Sequence, residues 1–391
     1  MNKLCKQVSI ESPSLQNKEC VFNFIVPVPD PPPKGARVLV VYAGACYHST
    51  RQSSYSTSMS NVSNISAELA ELAQQGPLEQ QQIPPLNPQQ VSPAHYGMRD
   101  GALFPGFEVA GVIESLGSDL DESCGFKVGQ RVILYPFEDA PAGYSELMVV
   151  PDLKNIIPIP DDLPLAVAAM LPTGALLAMN AVLSAHKLLE HLFKERGPTG
   201  LCKILIVGTG GLALWAVRIA AQHFYHKDCH DHIKITVASL RDEGLLLAKE
   251  FEHVDVVQWN EDLYEKQIVE RTLDACQGPV DIVIDFCTTS RSLHRSMQCL
   301  NKGGVILIGE EVAERLLPKF SRRAHEKDLR IQPVPIGTIE QLHELVKLVN
   351  SGEIKSPPYS VFPSEEASEV VKKLAHSEIP GRAILKFHDI A

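Results

Sequence analysis

The sequence predicts an α/β protein that combines a doubly wound parallel sheet with a β-rich domain. From Lys203 onward, apolar strands alternate with helices, and this alternation is typical of a parallel sheet. These strands are apolar on almost every residue, as expected when helices cover both faces of the sheet. Before Pro151, the chain instead shows short strands separated by Gly, Pro and Asp, which indicates antiparallel structure.

The N-terminal part of the chain predicts a β-rich domain with one long insertion. Two strands flank a Pro-rich turn in residues 19–47, and three further strand-like segments follow Phe104. Residues 53–90 are rich in Ser, Gln, Asn and Pro, and such a composition buries too little apolar surface to become ordered. We therefore interpret residues 51–100 as a flexible insertion.

The part of the chain after Pro172 predicts the parallel sheet. A helix begins after Thr173 and ends before Gly197 and Pro198, which are typical helix stops. The alternating segments that follow are strands 203–208, 234–239, 254–259, 280–286 and 304–310 and helices 212–224, 243–252, 268–276 and 293–300. The last segments return to the mixed character of the first half. The predicted domains are therefore 1–172 joined with 331–391, and 173–330 between them.

Charge and cysteine content exclude several classes of protein. The chain has 391 residues, with 36 Lys plus Arg against 47 Asp plus Glu, which gives a formal net charge of −11. This balance argues against nucleic acid or a membrane as a partner, because both require a basic surface. Nine cysteines without a C-x-x-C pair predict reduced thiols, and the first residues lack the apolar core of a signal peptide. We expect a cytoplasmic protein.

The most specific local motif is a glycine-rich loop between a strand and a helix. Gly208, Thr209, Gly210, Gly211, Leu212 and Ala213 match the pattern G-x-G-x-x-G/A. In this pattern the first Gly forms a turn, the second lets the backbone approach a pyrophosphate, and the small last residue lets helix and strand pack closely. The helix N-terminus adds N–H groups that attract phosphate. We interpret the loop as a dinucleotide-binding site; the alternative is a glycine-rich turn that binds nothing.

The end of the next strand indicates which dinucleotide is bound. A carboxylate usually holds the ribose of NAD at this point, but the sequence places Ser239 there, with Arg241 two residues later. A hydroxyl beside a guanidinium suits a 2′-phosphate, since Arg forms charge-assisted hydrogen bonds with it. NADP(H) is therefore favoured over NAD(H). Alternatively, Arg241 caps the following helix and Asp242 binds the ribose.

Several segments together resemble the medium-chain dehydrogenase/reductase superfamily, which contains zinc alcohol dehydrogenases and zinc-free quinone reductases. The segments stand in the family order: VLVVYAGAC (38–46), FPGFEVAGVIESLG (104–117), FKVGQRVILY (126–135), AGYSELMVVP (142–151), ILIVGTGGLA (204–213), VDIVIDF (280–286), NKGGVILIG (301–309) and GRAILKF (381–387). The resemblance implies a GroES-like catalytic domain, a Rossmann domain and a cleft between them where the nicotinamide meets the substrate.

The resemblance also implies where a catalytic zinc would bind, and the residues there do not suit it. Zinc in these enzymes is held by a Cys, the His of a G-H-E motif and a third Cys or acidic ligand, and a catalytic site needs about three protein ligands. Cys46 stands at the first position, but the second is Phe107 and the third falls near Pro172. Only Cys124 stands in the region of the structural-zinc cysteines. The chain is therefore predicted to be zinc-independent.

Tyr47 and His48 are the candidate catalytic residues. In the zinc-free branch an Asn, an aromatic residue and an Asp follow the same strand, and Tyr47 matches the aromatic residue. Either side chain could donate a proton to the substrate, because hydride transfer otherwise requires mainly that the cofactor is positioned. The alternative is that Tyr47 packs internally and His48 is solvated. His226, His230 and His232 show no defined metal-ligand spacing and are interpreted as a solvated loop.

These features predict a zinc-independent, NADP(H)-dependent oxidoreductase that acts on a small carbonyl, enone or quinone. The alternative is a catalytically silent, dehydrogenase-like protein with a regulatory or interaction role, because the departures from the family pattern and the long insertion suit it. Besides a small-molecule substrate, the expected partners are a second copy of the chain and a protein bound through the 51–100 insertion. By family analogy, the homodimer would form through the sheet edge near residues 304–310.

Overall fold

A computed structural model describes residues 4–10, 20–45, 108–136, 143–197, 200–208, 210–225, 232–239, 250–251, 253–259, 263–286, 289–375 and 378–389. The strands are β1 (Leu4–Ile10), β2 (Cys20–Pro27), β3 (Ala36–Ala45), β4 (Val109–Leu116), β5 (Arg131–Leu134), β6 (Leu147–Val150), β7 (Ile156–Pro158), β8 (Cys202–Val207), β9 (Ile233–Ser239), β10 (Val254–Gln258), β11 (Val280–Asp285), β12 (Leu300–Gly309), β13 (Arg330–Val334), β14 (Tyr359–Pro363) and β15 (Arg382–Lys386). The helices are α1 (Leu165–Ala168), α2 (Leu176–Arg196), α3 (Gly211–Tyr225), α4 (Glu265–Ala275), α5 (Ser290–Cys299), α6 (Glu310–Glu326), α7 (Ile339–Asn350) and α8 (Ala367–Ala375). A π-helical turn, Leu171–Ala175, lies between α1 and α2.

Six strands form a parallel sheet in the order β10-β9-β8-β11-β12-β13. The chain enters at β8, builds outward to β10, and then crosses to β11 on the other side of β8. This reversal between β8 and β11 is a topological switch point, where open α/β sheets bind ligands outside the carboxyl ends of the strands. The predicted doubly wound parallel sheet is confirmed.

Helices cover both faces of the parallel sheet because successive side chains of a strand point to opposite faces. On β8, Ile204 and Ile206 belong to the core shared with α2, α3 and α7, whereas Leu205 and Val207 belong to the core shared with α4, α5 and α6. All four side chains are at most 1% exposed. Burial of an apolar side chain of this size contributes roughly 1.5–3 kcal/mol. Side chains on both faces of β8 therefore stabilise the folded state.

A second sheet of seven strands has the order β14-β15-β3-β4-β5-β7, with β6 also paired to β3. The pair β14 and β15 is parallel and the other pairs are antiparallel. β15 comes from the C-terminal end of the chain and pairs directly with β3 from the N-terminal part. β1 and β2 form a separate antiparallel pair. The β-rich component of the predicted fold class is confirmed.

Two details of the C-terminal part differ from the sequence-based expectation. The predicted domain boundary between residues 330 and 331 falls inside β13, which is the sixth strand of the parallel sheet, and α7 packs on the core of the same sheet. The division into domains stays a prediction, and these contacts favour a boundary beyond α7. The expected dimer edge near residues 304–310 is wrong as an edge, because β12 is paired on both sides and β13 ends the sheet.

Several predictions fall on parts of the chain outside the described residues. The 51–100 insertion lies entirely outside them, as does most of the predicted helix 243–252. Residues 311–329 have no predicted element, and the structure shows that most of them belong to α6. Among the described helices, none combines the length and the apolar character that a membrane span requires.

Candidate functional site

The glycine-rich loop lies at the carboxyl end of β8, at the switch point of the parallel sheet. Gly208 has a φ of 115°, which favours glycine, and its N–H donates to the carbonyl of Ala238 on β9 at 2.7 Å. Apart from the chain neighbours of Gly210, no described residue has an atom within 4 Å of the position that a Cβ there would occupy. Ala213 is 1% exposed and packs in the core beneath α3. The turn, the open approach and the close packing expected of a dinucleotide loop are all present.

Gly211 is required by a side chain that reaches over from the seven-stranded sheet. A Cβ on Gly211 would collide with side-chain carbons of Arg382, the first residue of β15, and would lie 3.3 Å from its Nε. The guanidinium group of Arg382 therefore lies beside the first turn of α3. A helix N-terminus and an arginine side by side favour the binding of a phosphate group, so these residues fit a dinucleotide pyrophosphate.

Arg382 is held in a buried ion pair with Glu108, the residue that precedes β4. Glu108 is 1% exposed and Arg382 is 6% exposed, and their charged groups are in direct contact. The same carboxylate accepts hydrogen bonds from the N–H of Gly174, at 2.9 Å, and from the hydroxyl of Thr173. Both donors belong to the π-helical turn. Buried charges require such additional hydrogen bonds to offset their loss of hydration, so this carboxylate joins the seven-stranded sheet to the start of α2.

Neither Glu108 nor Arg382 is among the functional residues predicted from the sequence. A usable signal exists in the segment GRAILKF, where a charged residue opens an otherwise apolar strand, because Arg is almost never fully buried unless it is paired. The partner of Arg382 is not readable in the same way, since Glu108 lies 274 residues away along the chain.

The structure brings together part of the predicted cofactor site. Ser239 ends β9 beside the glycine loop, because Gly208 bonds to the preceding residue, Ala238. Ser239 is 4% exposed, and its carbonyl accepts a hydrogen bond from the N–H of Trp259 at 2.7 Å. Thr209 and Arg241 lie outside the described residues. Recognition of a 2′-phosphate by Ser239 and Arg241 therefore stays a prediction.

The candidate catalytic residues Tyr47 and His48 also lie outside the described residues. The strand that leads to them, β3, ends at Ala45, and the N–H of Gly44 donates to the carbonyl of Glu108 at 2.8 Å. The end of β3 is thus fixed next to the Glu108–Arg382 pair and the glycine loop.

The predicted zinc positions are only partly described. Cys46 and Phe107 lie outside the described residues, whereas Pro172 is buried in the π-helical turn and offers no ligand atom. Cys124 follows a short turn after β4, and its thiol lies 3.5 Å from the carbonyl of Phe126. Across the described ranges, no group of three or more His, Cys, Asp or Glu side chains is arranged to hold a metal ion. Zinc independence stays a prediction.

Of the three histidines that precede β9, the structure describes only His232. His226 and His230 lie outside the described residues. His232 precedes β9 and lies edge-on to the ring of Phe193, with ring centroids 6.4 Å apart. That contact is a packing interaction at the end of α2, at the amino-terminal side of the parallel sheet and away from the glycine loop.

A second charged cluster stabilises the carboxyl side of β10 and β11. Glu265, at the start of α4, accepts hydrogen bonds from Arg295 at 2.5 and 2.9 Å and from Arg291 at 2.5 Å. These hydrogen bonds, that of Arg295 above all, lower the pKa of Glu265 to about 2. Arg295 is 2% exposed and lies over the ring of Trp259, with its guanidinium carbon 5.3 Å from the ring centroid. The cluster joins α4 to α5.

Comparisons with known proteins agree with the fold. A family model described as zinc-binding dehydrogenase matches residues 261–385. The chain is 22% identical over 329 residues to the NADP-dependent alcohol dehydrogenase C 1 of Mycolicibacterium smegmatis, covering 75% of this chain and 84% of that protein. It is 31% identical over 144 residues to a trans-enoyl reductase of Aspergillus japonicus, covering 33% of this chain and 40% of that protein. The structure of acetophenone reductase from Geotrichum candidum, in complex with NAD, superposes with a TM-score of 0.63 at 18% identity, covering 99% of this chain and 98% of that chain.

Proposed function

We propose that the protein is a zinc-independent, NADP(H)-dependent oxidoreductase of small carbonyls, enones or quinones within the medium-chain dehydrogenase/reductase superfamily, a proposal that the similarity to a zinc-binding dehydrogenase family and to an alcohol dehydrogenase supports. The observation that carries the proposal is the meeting of Arg382 with the first turn of α3 across Gly211. The N-terminus of α3 would attract a diphosphate, and the guanidinium of Arg382, although it is paired with Glu108, places hydrogen-bond donors beside it.

In this proposal Gly208 to Ala213 hold the pyrophosphate of the cofactor with backbone N–H groups. Arg382 adds a charge-assisted hydrogen bond, and Glu108 keeps its guanidinium oriented when the phosphate is absent. A nicotinamide, when bound, supplies or accepts the hydride. The chain then has to hold the two reactants together and provide a proton, and Tyr47 and His48 are the proposed donors.

The preference for NADP(H) rests on Ser239 and Arg241. One relative is named as NADP-dependent, while the acetophenone reductase structure contains NAD, so relatives alone do not favour either cofactor. A charge reversal, Arg241→Glu, is expected to weaken NADPH binding strongly and NADH binding little, because only NADPH carries the 2′-phosphate. Arg271→Glu, the same charge change at an exposed position on α4, is the matched control. Equal weakening of both cofactors by Arg241→Glu would contradict the assignment.

Zinc independence rests on Phe107 and Pro172, which replace two of the expected ligands with side chains that cannot coordinate a metal. Activity in the presence of a chelator, together with a metal analysis of the purified protein, tests this part of the proposal. One zinc per chain whose removal abolishes turnover would contradict it. The match to a family described as zinc-binding dehydrogenase makes this measurement the first one to carry out.

The test of the whole proposal is a cofactor titration followed by a substrate panel. A ligand that binds only the folded state at one hundred times its Kd stabilises by about 2.7 kcal/mol, so NADPH should raise the melting temperature by several degrees. Quinones, enals and aldehydes are then tested by the loss of reduced-cofactor absorbance. An unchanged melt at millimolar NADPH and at millimolar NADH would refute the proposal.

The second candidate function is a catalytically silent protein that binds a partner through the 51–100 insertion. The sequence feature that favours it is the combination of that long insertion with the departures at Cys46, Ser49 and Phe107. Deletion of residues 53–90 separates the two candidates. Turnover of several carbonyl substrates that survives the deletion favours the oxidoreductase, whereas cofactor binding without turnover of any of them favours the silent protein.

A further inference from the structure

The segment Pro335 to Thr338, termed the 335–338 loop, connects β13 to α7 and is held by side chains from three different elements. The hydroxyl of Tyr135 donates to the carbonyl of Gly337 at 2.7 Å. The side-chain amide of Asn180, on α2, donates to the carbonyl of Pro335 at 2.8 Å. The backbone N–H of Thr338 donates to the side chain of Gln341 at 2.8 Å.

Packing adds to these hydrogen bonds at the centre of the loop. Gly337 has a φ of 119°, and a Cβ on it would lie 2.8 Å from Cγ of Leu176. Leu176 is fully buried and begins α2 directly after the π-helical turn that binds Glu108. Gln341 also donates to the side chain of Asn180 at 3.2 Å. The loop is therefore fixed at both ends and in the middle, although its outer residues reach solvent.

The position of the 335–338 loop gives this rigidity a functional meaning. The loop follows the carboxyl end of β13, on the same edge of the parallel sheet as the glycine loop. In a doubly wound sheet, a dinucleotide lies across the switch point with one mononucleotide over each half of the sheet. The glycine loop and Ser239 belong to the β8-β9-β10 half, so the nicotinamide half of the cofactor falls to β11, β12 and β13. The 335–338 loop is part of that half.

Tyr135 differs from the other two anchors because it comes from the seven-stranded sheet. It follows β5, and its N–H is fixed by a hydrogen bond to the carbonyl of Asn155 at 2.8 Å. Its half-buried ring packs against the core that also contains Leu176. Burial, and secondarily Glu340, raises the pKa of Tyr135, so the phenol keeps the proton that it donates. One hydroxyl thus links the second sheet to the loop beside the nicotinamide half.

We infer that Tyr135 is a positioning residue for hydride transfer, which acts by fixing the 335–338 loop relative to the seven-stranded sheet. The inference rests on the proposed function. The candidate proton donors, Tyr47 and His48, follow β3 of that same sheet in the sequence. The Tyr135–Gly337 hydrogen bond therefore joins the sheet that leads to them with a loop on the half of the parallel sheet assigned above to the nicotinamide. Its loss changes the alignment of the reactants and leaves the adenosine half of the site untouched.

The test is the variant Tyr135→Phe, which removes only the hydroxyl. The control is Tyr225→Phe. The hydroxyl of Tyr225 also donates to a backbone carbonyl, that of His253, at 2.8 Å. Tyr225 is the last residue of α3, so it lies far from the glycine loop. For Tyr135→Phe we expect kcat to fall roughly three- to tenfold, the range that one neutral hydrogen bond supports. Binding of 2′,5′-ADP, which has no nicotinamide, should stay within about twofold of the wild type. For an NADH-preferring wild type, ADP is the probe.

A measurement without turnover accompanies the kinetics. In the protein free of cofactor, hydrogen exchange at the amides of Ile336, Gly337 and Thr338 should be faster in Tyr135→Phe than in the wild type, and unchanged in Tyr225→Phe, because the exchange of an amide follows local opening. If Tyr135→Phe proves too unstable to measure, Asn180→Ala releases the other end of the loop and should give the same pattern, a lower kcat with 2′,5′-ADP binding retained.

The outcomes separate the inference from the function on which it rests. A wild type that binds neither NADPH nor NADH overturns both. A wild type that turns over substrate, with Tyr135→Phe matching it in kcat and in exchange at the 335–338 loop, overturns the role of Tyr135 alone. Equal loss of NADPH and 2′,5′-ADP binding also overturns that role, because it reports a general loosening of the fold. A lower kcat with 2′,5′-ADP binding retained and faster loop exchange supports it.

Discussion

The buried Glu108–Arg382 pair makes a quantitative prediction about stability. Replacing Arg382 with Met leaves the carboxylate of Glu108, which is 1% exposed, with hydrogen bonds from Thr173 and Gly174 but without its counter-ion. Breaking a buried pair in this way costs about 3–5 kcal/mol. Because two hydrogen-bond donors to the carboxylate remain, we expect a loss of about 3 kcal/mol in the free energy of unfolding. Adding Glu108→Gln removes the buried charge and keeps an acceptor for Gly174, so most of the loss should be recovered.

The assay is urea denaturation of the wild type, both single variants and the double variant, followed by circular dichroism. We expect a coupling free energy of about 2 kcal/mol, within the range for residues in direct contact. The control cycle uses Arg322→Met and Glu326→Gln, whose side chains are paired at 2.9 Å but are 91% and 58% exposed. Coupling there should not exceed about 0.5 kcal/mol.

The result that refutes the reasoning is additivity of Glu108→Gln and Arg382→Met to within about 0.5 kcal/mol, since the buried charges would then not be coupled. Cofactor binding provides an independent check. The double variant regains stability but still lacks the cation beside α3, so it should show a smaller rise in melting temperature with NADPH than the wild type shows. A full rise in the double variant would remove Arg382 from the cofactor site while leaving the stability result intact.

Three further predictions concern other parts of the structure. Gly211→Val should displace the arginine that covers it and abolish the NADPH-induced rise in melting temperature, with the far-ultraviolet circular dichroism spectrum retained; a normal rise would contradict the proposed loop function. The folded-state pKa of Glu265, about 2, is below its ordinary value, so its contribution to stability is present above pH 4.5 and is lost as the pH falls toward 2. In Glu265→Gln, Arg295 loses its carboxylate partner. The difference in urea midpoint between this variant and the wild type should therefore be large at pH 7 and small at pH 2, and a difference independent of pH would contradict the role of the Glu265 charge. Burial raises the pKa of Cys299 to about 12 and also raises that of Cys276, so mass spectrometry should find both thiols unlabelled by iodoacetamide in the native protein at pH 8 and labelled in urea; labelling at equal rates in both conditions would show that they are accessible.

The sequence predicts those features of the fold that local patterns encode. The strand and helix on either side of the glycine loop are found at Cys202–Val207 and Gly211–Tyr225, close to the predicted bounds, because apolar runs and helical spacing are set by the same burial that the structure shows. Helix α6 is not predicted, because its local pattern points away from a helix. Pro318 interrupts its pattern, and a proline inside a helix normally argues against one, yet Glu310–Glu326 is helical.

The interactions that complete the candidate site depend on contacts between distant parts of the chain. The 335–338 loop receives its hydrogen bond from Tyr135, which is 202 residues earlier in the sequence. Glu108 and Arg382 are further apart still. No periodicity or motif spacing reports such pairs, so the sequence predicts the glycine-rich loop but not the arginine that packs over Gly211. The candidate proton donors stay predictions, because their segment lies outside the described residues.

The pairing of β15 with β3 has a consequence for the order in which the protein matures. A nascent chain that has emerged through residue 350 contains all six strands of the parallel sheet and α7, but it lacks β14 and β15. Ala45, Gly44 and Tyr42 then have no partner from β15, and Glu108 has no arginine. Domains form as units during synthesis when their residues are present, so the parallel sheet can form before the second sheet is complete. Under the proposed function, the C-terminal strand therefore adds Arg382 to the cofactor site last, and proteolytic loss of that strand would leave a folded parallel sheet whose glycine loop lacks this arginine.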